Sequence, residues 1–289
     1  MSPSPLAIRK SNRSSKVMLA KWLSSAVEQL FVIWGQRHFV VAAVRSDFHT
    51  RYARSSLGFL WSILQPLAMA GILAFVLSDM LGAKVAGGAS GAGYPVYLLV
   101  GMGLWSLFNE IMMRSLNVFI EYGALMKKIS FPKVCLPIIV ISTALVNHGL
   151  YLFAMVVVFA ALGHFPQLHW LSLPLIAAHV CLLSISLGLL LGVFNVFLRD
   201  VSQVVAVFMQ GLFWLTPIVY AVELLPPQRR WLIEWNPLAG LVQAYQDILF
   251  HGRTPGWSSL IWPACISVLL AMCSVFIFYR AQSELVDEL

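Results

Sequence analysis

Long apolar runs dominate this sequence and indicate its architecture. A helix needs roughly 20 mostly apolar residues to cross the hydrocarbon core of a bilayer. Six runs reach about that length, at roughly 58–81, 95–119, 137–162, 171–197, 203–222 and 259–279. The pattern therefore predicts an all-α polytopic membrane protein with six transmembrane helices.

The chain before the first run has a different pattern. Apolar residues recur at helical spacing between Trp22 and Trp34, with charged and small polar residues on the opposite face. This pattern is typical of an amphipathic helix that lies at the membrane interface. We therefore divide the chain into a cytoplasmic tail with an interfacial helix, residues 1–56, and a transmembrane domain, residues 57–289.

The stretch between the fifth and sixth runs is unusually apolar for a loop. Residues 223–258 carry many large apolar side chains, and Pro226-Pro227 and Asn236-Pro237 divide the stretch into two pieces. Each piece is too short to cross a bilayer. We predict a re-entrant pair of helices that dips into the outer leaflet. The alternative is an amphipathic helix that lies on the outer surface.

Composition and charge agree with a membrane protein and orient it. Of 289 residues, 60% are apolar or aromatic and 11% are charged, whereas soluble domains carry about 25% charged residues. Fourteen Lys and Arg residues flank the runs on the side of both termini, and four flank them on the other side. The positive-inside rule therefore predicts that both termini are cytoplasmic. Since topology accounts for the basic excess, we expect no nucleic-acid partner.

Motifs for catalysis, metal binding and nucleotide binding are missing from the sequence. The four cysteines lie in or beside apolar runs without metal-ligand spacing, and no GxxxxGK[ST] loop occurs. Acidic residues and histidines do not cluster at one membrane face, as a membrane enzyme would require. We expect no enzymatic activity, no metal and no cofactor in this chain. A secondary transporter is also disfavoured, because no internal repeat relates the two halves.

Four segments together resemble the ABC-2 type permeases that export polysaccharides. The resemblance runs from about residue 45 to the C-terminus, and the segments follow one another in the family's order. They are Arg51–Trp61 followed by Gln65-Pro66; Leu125–Pro132 followed by Leu136-Pro137; Phe197–Val201; and Thr216–Tyr220 followed by Pro226, Asn236-Pro237-Leu238 and Gly252.

The resemblance implies a permease in the bacterial inner membrane for a lipid-linked glycan, such as capsular polysaccharide, O-antigen or a teichoic-acid-like polymer. It also implies a homodimer with two copies of a separate ATPase, which would bind ATP and Mg²⁺. A two-fold dimer is the economical way to enclose a wide path, because six spans can scarcely do so. The alternative cargo is a small amphipathic drug or lipid.

A short polar segment after the second run is the candidate contact with the ATPase. It begins with an acid and ends with two lysines, which suits a helix dipole, and its apolar ridge suits a partner's groove. With the resemblance we interpret it as a coupling helix; the alternative is an ordinary positive-inside loop. The expected contact residues are Glu121, Leu125, Met126, Lys127, Lys128 and Ile129.

Arginine and aromatic residues are the candidates for substrate contacts. Arg51 and Arg54, at the cytoplasmic interface, suit a lipid pyrophosphate, although both could simply set topology. Aromatic rings offer flat faces on which sugars can stack, although anchoring and packing are alternative roles for each ring. The candidates for an aromatic pore wall are Trp61, Trp105, Phe108, Phe213, Trp214, Tyr220, Trp231 and Tyr245.

Glu110 and Arg114 are charged residues inside the second apolar run. They are four residues apart, so one helix can bring the two charges together. Charged groups within membrane spans are costly and are usually paired or functional. We predict an intramembrane polar pair that faces the pore or the dimer axis. A proton relay is the alternative.

Overall fold

The computed structural model describes residues 35–52, 55–77, 93–128, 133–163, 167–281 and 284–288, in which all regular secondary structure is helical. The predicted amphipathic helix between Trp22 and Trp34 lies outside these residues. The helices are α1 Arg37–Tyr52, α2 Trp61–Leu77, α3 Gly93–Glu121, α4 Gly123–Lys128, α5 Cys135–Ala161, α6 Leu173–Phe197, α7 Val201–Leu215, α8 Trp231–Glu234, α9 Pro237–Leu249, α10 Ile261–Ala281 and α11 Glu284–Glu288.

Five of the described helices are long and apolar enough to cross a membrane. They are α2, α3, α5, α6 and α10, counted with the short 3-10 turns that lead into three of them. They correspond to the first four apolar runs and to the sixth. The prediction of an all-helical, multi-pass membrane protein is thereby confirmed. The predicted end of the first run, near residue 81, lies outside the described residues.

The fifth run forms a shorter helix than the sequence predicts. The run extends to residue 222, but α7 has 15 residues and ends at Leu215. Thr216 is already extended, with φ −96° and ψ 136°, because Pro217 disfavours helical geometry in the residue before it. At about 1.5 Å per residue, α7 is roughly 22 Å long, against about 30 Å for a hydrocarbon core.

Helix α3 forms the centre of the bundle and packs on α2, α5, α6 and α9. It approaches α6 closely at Gly188 and Gly192. A Cβ atom at Gly188 would lie 2.9 Å from the Met112 carbonyl oxygen, and one at Gly192 would lie 2.8 Å from the Ser115 carbonyl oxygen. Small residues with this spacing let two membrane helices approach closely.

The chain between α7 and α10 divides in two at Asn236, as the sequence predicts. The Asn236 side chain accepts a hydrogen bond from Leu238 N at 3.0 Å, which caps α9, and donates one to Thr216 Oγ1 at 3.0 Å. Most of α9 is buried, and it packs against α3, α6 and α10. The second piece of this stretch is therefore part of the helical core of the subunit.

Helix α1 lies alongside α5 and brings charged residues to α3. Val40 forms a small buried cluster with Cys135 and Ile139 at the start of α5. Eleven residues further along the chain, Arg51 contacts Glu110 on α3. The direction of α1 therefore places the last turn of this helix beside the middle of the bundle.

Candidate functional site

Two acids and two arginines form a charge cluster between α1 and α3. Arg51 Nη1 lies 3.1 Å from Glu110 Oε1, and Arg114 Nη2 lies 2.7 Å from Asp47 Oδ2. Within each helix the charges are four residues apart, with Arg51 and Asp47 separated by 3.9 Å and Arg114 and Glu110 by 3.7 Å. The four formal charges balance, which lowers the cost of placing them among apolar helices.

Asn147 on α5 ties a third helix to the cluster. Its Nδ2 donates to Glu110 Oε1 at 2.7 Å. An ionised carboxylate can only accept hydrogen bonds, so the amide nitrogen must face Glu110 and the amide oxygen must face away. Within the described part of the chain, Asn147 Oδ1 and Arg114 Nη1 are buried without a hydrogen-bond partner. The cluster therefore retains hydrogen-bonding capacity that its own contacts do not use.

A partly open cavity of about 670 Å³ lies beside the cluster, between α1, α2, α3 and α5. Arg51 and Glu110 contribute its charged wall. The other lining residues include aromatic rings, amides and a histidine: Trp61, Gln65, Trp105, Asn109, Asn147 and His148. A cation beside amides and an exposed ring suits an anionic or hydroxyl-bearing ligand.

Of the eight predicted pore aromatics, Trp61 and Trp105 line this cavity. The ring centroid of Phe213, on α7, lies 5.4 Å from that of Trp105 and 5.4 Å from that of Trp214. Tyr220 Oη donates to the Trp214 carbonyl oxygen at 3.0 Å. Ring contacts therefore connect α3 to the end of α7, and a hydrogen bond to the backbone connects Trp214 to Tyr220 in the turn that follows.

The other three predicted aromatics have different surroundings. Trp231 is exposed on α8, whereas Phe108 and Tyr245 are buried in the core of the subunit. Tyr245 Oη lies 3.2 Å from His148 Nε2, which links α9 to α5. Within this subunit, Phe108 and Tyr245 support helix packing and do not line the cavity.

The turn after α7 is held by polar contacts that the sequence did not reveal. Tyr94 donates to the Val219 carbonyl oxygen at 2.9 Å, and Tyr97 donates to that of Tyr220 at 3.0 Å. Gln246 Nε2 donates to the Pro217 carbonyl oxygen at 3.2 Å. The donors lie more than 25 residues from their acceptors, so no local pattern could have indicated these contacts.

The predicted coupling segment contains a separate short helix. Helix α3 ends at Glu121, Tyr122 forms the turn, and α4 begins at Gly123. The Glu121 and Lys127 side chains are exposed, whereas Leu125 and Met126 are half-buried. The Lys128 side chain and Ile129 lie outside the part of the chain that can be described. A short helix at this place agrees with the predicted shape, and its role stays a prediction.

The sequence also left Asp47 and Asn147 out of the candidate site. It paired Glu110 with Arg114 and treated Arg51 separately, while Arg54 lies outside the described residues. A signal for Asp47 was present, because the four-residue spacing of Asp47 and Arg51 repeats that of Glu110 and Arg114. The sequence offered no comparable signal for Asn147, which belongs to a different helix.

Five described helices of spanning length, three of which line a charged, partly open cavity together with α1, define a multi-pass α-helical membrane protein. The chain belongs to the ABC-2 type transporter family, which matches it over residues 38–250. Members of this family are membrane subunits of transporters and not enzymes. The resemblance found in the sequence motifs is thereby confirmed.

Three relatives cover most of the chain. An O-antigen export system permease protein, RfbA of Klebsiella pneumoniae, is 30% identical over 217 residues, which are 74% of this chain and 80% of the relative. RfbA of Myxococcus xanthus is 25% identical over 259 residues, 89% and 97% of the two chains. The polysialic acid transport protein KpsM of Escherichia coli is 23% identical over 254 residues, 86% and 95% of the two chains.

Proposed function

We propose that this protein is the membrane permease of an ATP-driven exporter that moves a lipid-linked polysaccharide of capsule or O-antigen type out of the cytoplasm. The observation that carries the proposal is the similarity to relatives named for O-antigen export and polysialic acid transport. It extends over most of each protein, so it includes the helices around the cavity as well as the outer region.

The cavity supports a sugar-bearing anionic substrate. Arg51 lies at its charged wall, and the exposed ring of Trp61 lies on α2. Guanidinium groups bind phosphate through paired hydrogen bonds, and the flat face of an indole can stack on a sugar ring. Arg51, with Arg54 beside it in sequence, would receive the lipid pyrophosphate at the cytoplasmic side. The aromatic set from Trp105 to Tyr220 would continue the path.

The transported chain would pass through a homodimer in the bacterial inner membrane, with both termini cytoplasmic. Each subunit would contribute six spans, with α7 as the shorter fifth span and α8 and α9 as the re-entrant pair. A continuous path for a glycan is wider than one such subunit can enclose, and a two-fold axis would provide it. The exposed apolar faces of α2 and α7 leave room for a second subunit as well as for lipid.

Energy would reach the permease from two copies of a separate ATPase, which would bind ATP and Mg²⁺. The full sequence contains no phosphate-binding GxxxxGK[ST] loop. Helix α4 and its flanking residues, from Glu121 to Ile129, would contact the ATPase, and exposed Lys127 supports this role.

Deletion of the gene tests the proposed function directly. We expect lipid-linked glycan to accumulate inside the cells and surface glycan to be lost, as measured by lipid extraction and surface immunolabelling. Plasmid-borne wild-type protein should restore the surface glycan. Normal surface glycan in the deletion strain would contradict the proposal and would favour a small amphipathic cargo instead.

A further inference from the structure

The charge cluster contains a buried cationic donor that is not satisfied. Arg114 Nη1 donates no hydrogen bond within the described residues and lies 3.7 Å from Glu110 Oε1. That separation exceeds the usual length of a hydrogen bond between nitrogen and oxygen. Leaving a buried charged donor unpaired costs free energy. The cluster would therefore be more stable if the Glu110 carboxylate moved close enough to Arg114 Nη1 to accept a hydrogen bond.

Glu110 is held in its observed place by partners on two other helices. Its Oε1 accepts from Arg51 Nη1 at 3.1 Å and from Asn147 Nδ2 at 2.7 Å. The Arg51 side chain is 36% exposed and lines the cavity, whereas the Arg114 side chain is 14% exposed and is not among the described lining residues. Of the two arginines that face Glu110, Arg51 is thus the one that a ligand in the cavity can reach.

We propose that Glu110 acts as an internal substitute for a substrate phosphate. While the cavity is empty, the Glu110 carboxylate holds Arg51. When the diphosphate group of a ligand binds the Arg51 guanidinium, Glu110 turns to Arg114 Nη1 and keeps its hydrogen bond to Asn147. This inference rests on the proposed function, in which Arg51 receives the diphosphate of a lipid-linked glycan.

The exchange leaves no charge of the cluster unpaired. Arg114 keeps its 2.7 Å contact with Asp47, and its 3.7 Å ion pair with Glu110 shortens to a hydrogen bond. Arg51 exchanges one anion for another. Binding also removes one of the two short ion pairs that join α1 to α3. The last turn of α1 would then be held to α3 by the contact between Asp47 and Arg114, so occupancy of the cavity would be transmitted to the helix that leads from the N-terminal tail.

If Glu110 and the diphosphate compete for Arg51, two substitutions should change the affinity for diphosphate in opposite directions. Glu110→Gln removes the competing charge, so a larger fraction of Arg51 is available and diphosphate should bind more tightly. Arg114→Gln removes the alternative partner of Glu110, so the carboxylate stays on Arg51 and diphosphate should bind more weakly. If the cluster only stabilised the fold, both substitutions would weaken binding.

The test uses the full exporter, permease together with its ATPase, in phosphatidylcholine nanodiscs. The probe is farnesyl diphosphate, with farnesol as the uncharged lipid and inorganic pyrophosphate as the lipid-free anion. We expect Glu110→Gln to tighten farnesyl diphosphate binding about fivefold, and Arg114→Gln to weaken it by a similar factor. Arg51→Ala should reduce binding to the level of farnesol.

Asp247→Asn is the matched control. It removes a carboxylate from another ion pair with an arginine, Arg253, at 2.6 Å, in a part of the chain away from the cavity lining. Its affinity for farnesyl diphosphate should equal that of the wild type. If Arg114→Gln does not fold, Glu110→Gln carries the test, because its carboxamide oxygen can still accept from Asn147.

Unchanged or weaker binding by a Glu110→Gln exporter with wild-type thermal stability would overturn the exchange. So would farnesyl diphosphate binding that survives Arg51→Ala. Once Glu110→Gln has been found to tighten binding, the two ligands identify the source of the diphosphate. Tighter binding of farnesyl diphosphate than of pyrophosphate assigns the site to a lipid headgroup, and equal binding assigns it to the diphosphate group alone. The exchange at Arg51 holds in both cases. The deletion strain tests polysaccharide export independently, so failure of one hypothesis is distinguishable from failure of the other.

Discussion

At the residue scale, the spacing between α3 and α6 depends on two glycines. The Cβ positions at Gly188 and Gly192 fall within 3 Å of backbone carbonyl oxygens of α3. Backbone atoms in the centre of a packed bundle cannot move aside as the end of a flexible side chain can. A single methyl group at either position must therefore separate the two helices or strain them.

We accordingly expect Gly192→Ala to lower the stability of the purified permease by about 1–3 kcal/mol, the usual cost of overpacking a core. Thermal unfolding followed by size-exclusion chromatography measures the effect. Gly211→Ala on α7 is the control, because a Cβ there has no neighbour within 4 Å. Equal unfolding temperatures for the two variants would contradict the tight approach of α3 and α6.

Single residues also show how far the sequence could predict the candidate site. The spacing of Glu110 and Arg114 predicts that they are neighbours, because they are four residues apart on one helix, and the structure places Arg114 Nη1 3.7 Å from Glu110 Oε1. Their contacts with Asp47 and Arg51 join positions 67 and 59 residues apart. Those contacts depend on how α1 lies along α5, and no periodicity within one segment contains that information.

At the level of whole helices, the apolar runs predicted how long most helices are, whereas prolines and capping residues determine where the helices end. Five runs gave helices of spanning length. The end of α7 was predicted too late because the run stays apolar beyond Thr216, while Pro217 interrupts the helix. Hydropathy reports where a segment can be buried, and backbone chemistry decides where the helix stops.

Asn236 connects two helices of the outer region. Its side chain caps α9 through Leu238 N and bonds Thr216 Oγ1 after α7. Asn236→Ala should lower stability by roughly 1–2 kcal/mol, since it loses an N-cap and a hydrogen bond. Asn236→Asp keeps the cap acceptor but not the donor, so its unfolding temperature should lie between those of wild type and Asn236→Ala.

If Asn236→Asp proves as unstable as Asn236→Ala, the cap is not what stabilises α9. If both match the wild type, neither hydrogen bond contributes measurably. Export by each variant should follow its folded amount in the membrane, since Asn236 is not assigned a contact with substrate.

The next prediction concerns α4 and its proposed role in coupling the permease to the ATPase. Reversing both charges, Lys127→Glu with Lys128→Glu, should uncouple ATP hydrolysis from export while membrane insertion stays intact. The reason is that two negative charges at the end of α4 would replace the positive charges proposed to face the ATPase, and would oppose the dipole of the short helix. ATPase activity and glycan export are measured together on the reconstituted exporter.

Arg199→Glu is the matched charge reversal for this prediction. Arg199 is exposed between α6 and α7, on the same predicted side of the membrane as α4. Its substitution by Glu should leave coupling unchanged. Normal export by the double lysine variant would count against α4 as the coupling helix, and equal defects in both variants would point to topology instead.

At the scale of the whole molecule, the order of motifs along the chain was more informative than any one of them. Four short segments, each common by itself, indicated the family that the comparison over residues 38–250 confirms. The arrangement around the cavity was not predictable in this way. It requires α1, α2, α3 and α5 to meet, and their residues at the cavity are separated by up to about 100 positions.

The remaining whole-molecule prediction concerns stoichiometry. One subunit places two of its predicted path residues, Phe108 and Tyr245, in its own core. A path for a polymer must then run along surfaces that a single subunit leaves open, and a second copy related by a two-fold axis supplies the opposite wall. When the permease is expressed with two different tags together with its ATPase, each tag should recover the other.

The recovered assembly should have the mass of two permeases and two ATPases by native mass spectrometry. A matched control mixes separately purified tagged proteins, which should not exchange on the same timescale. An exporter that is active with one permease would require the whole glycan path to lie within a single chain. It would then have to open between helices that the structure shows in direct contact, and the cavity beside Arg51 is a space from which such a path could begin.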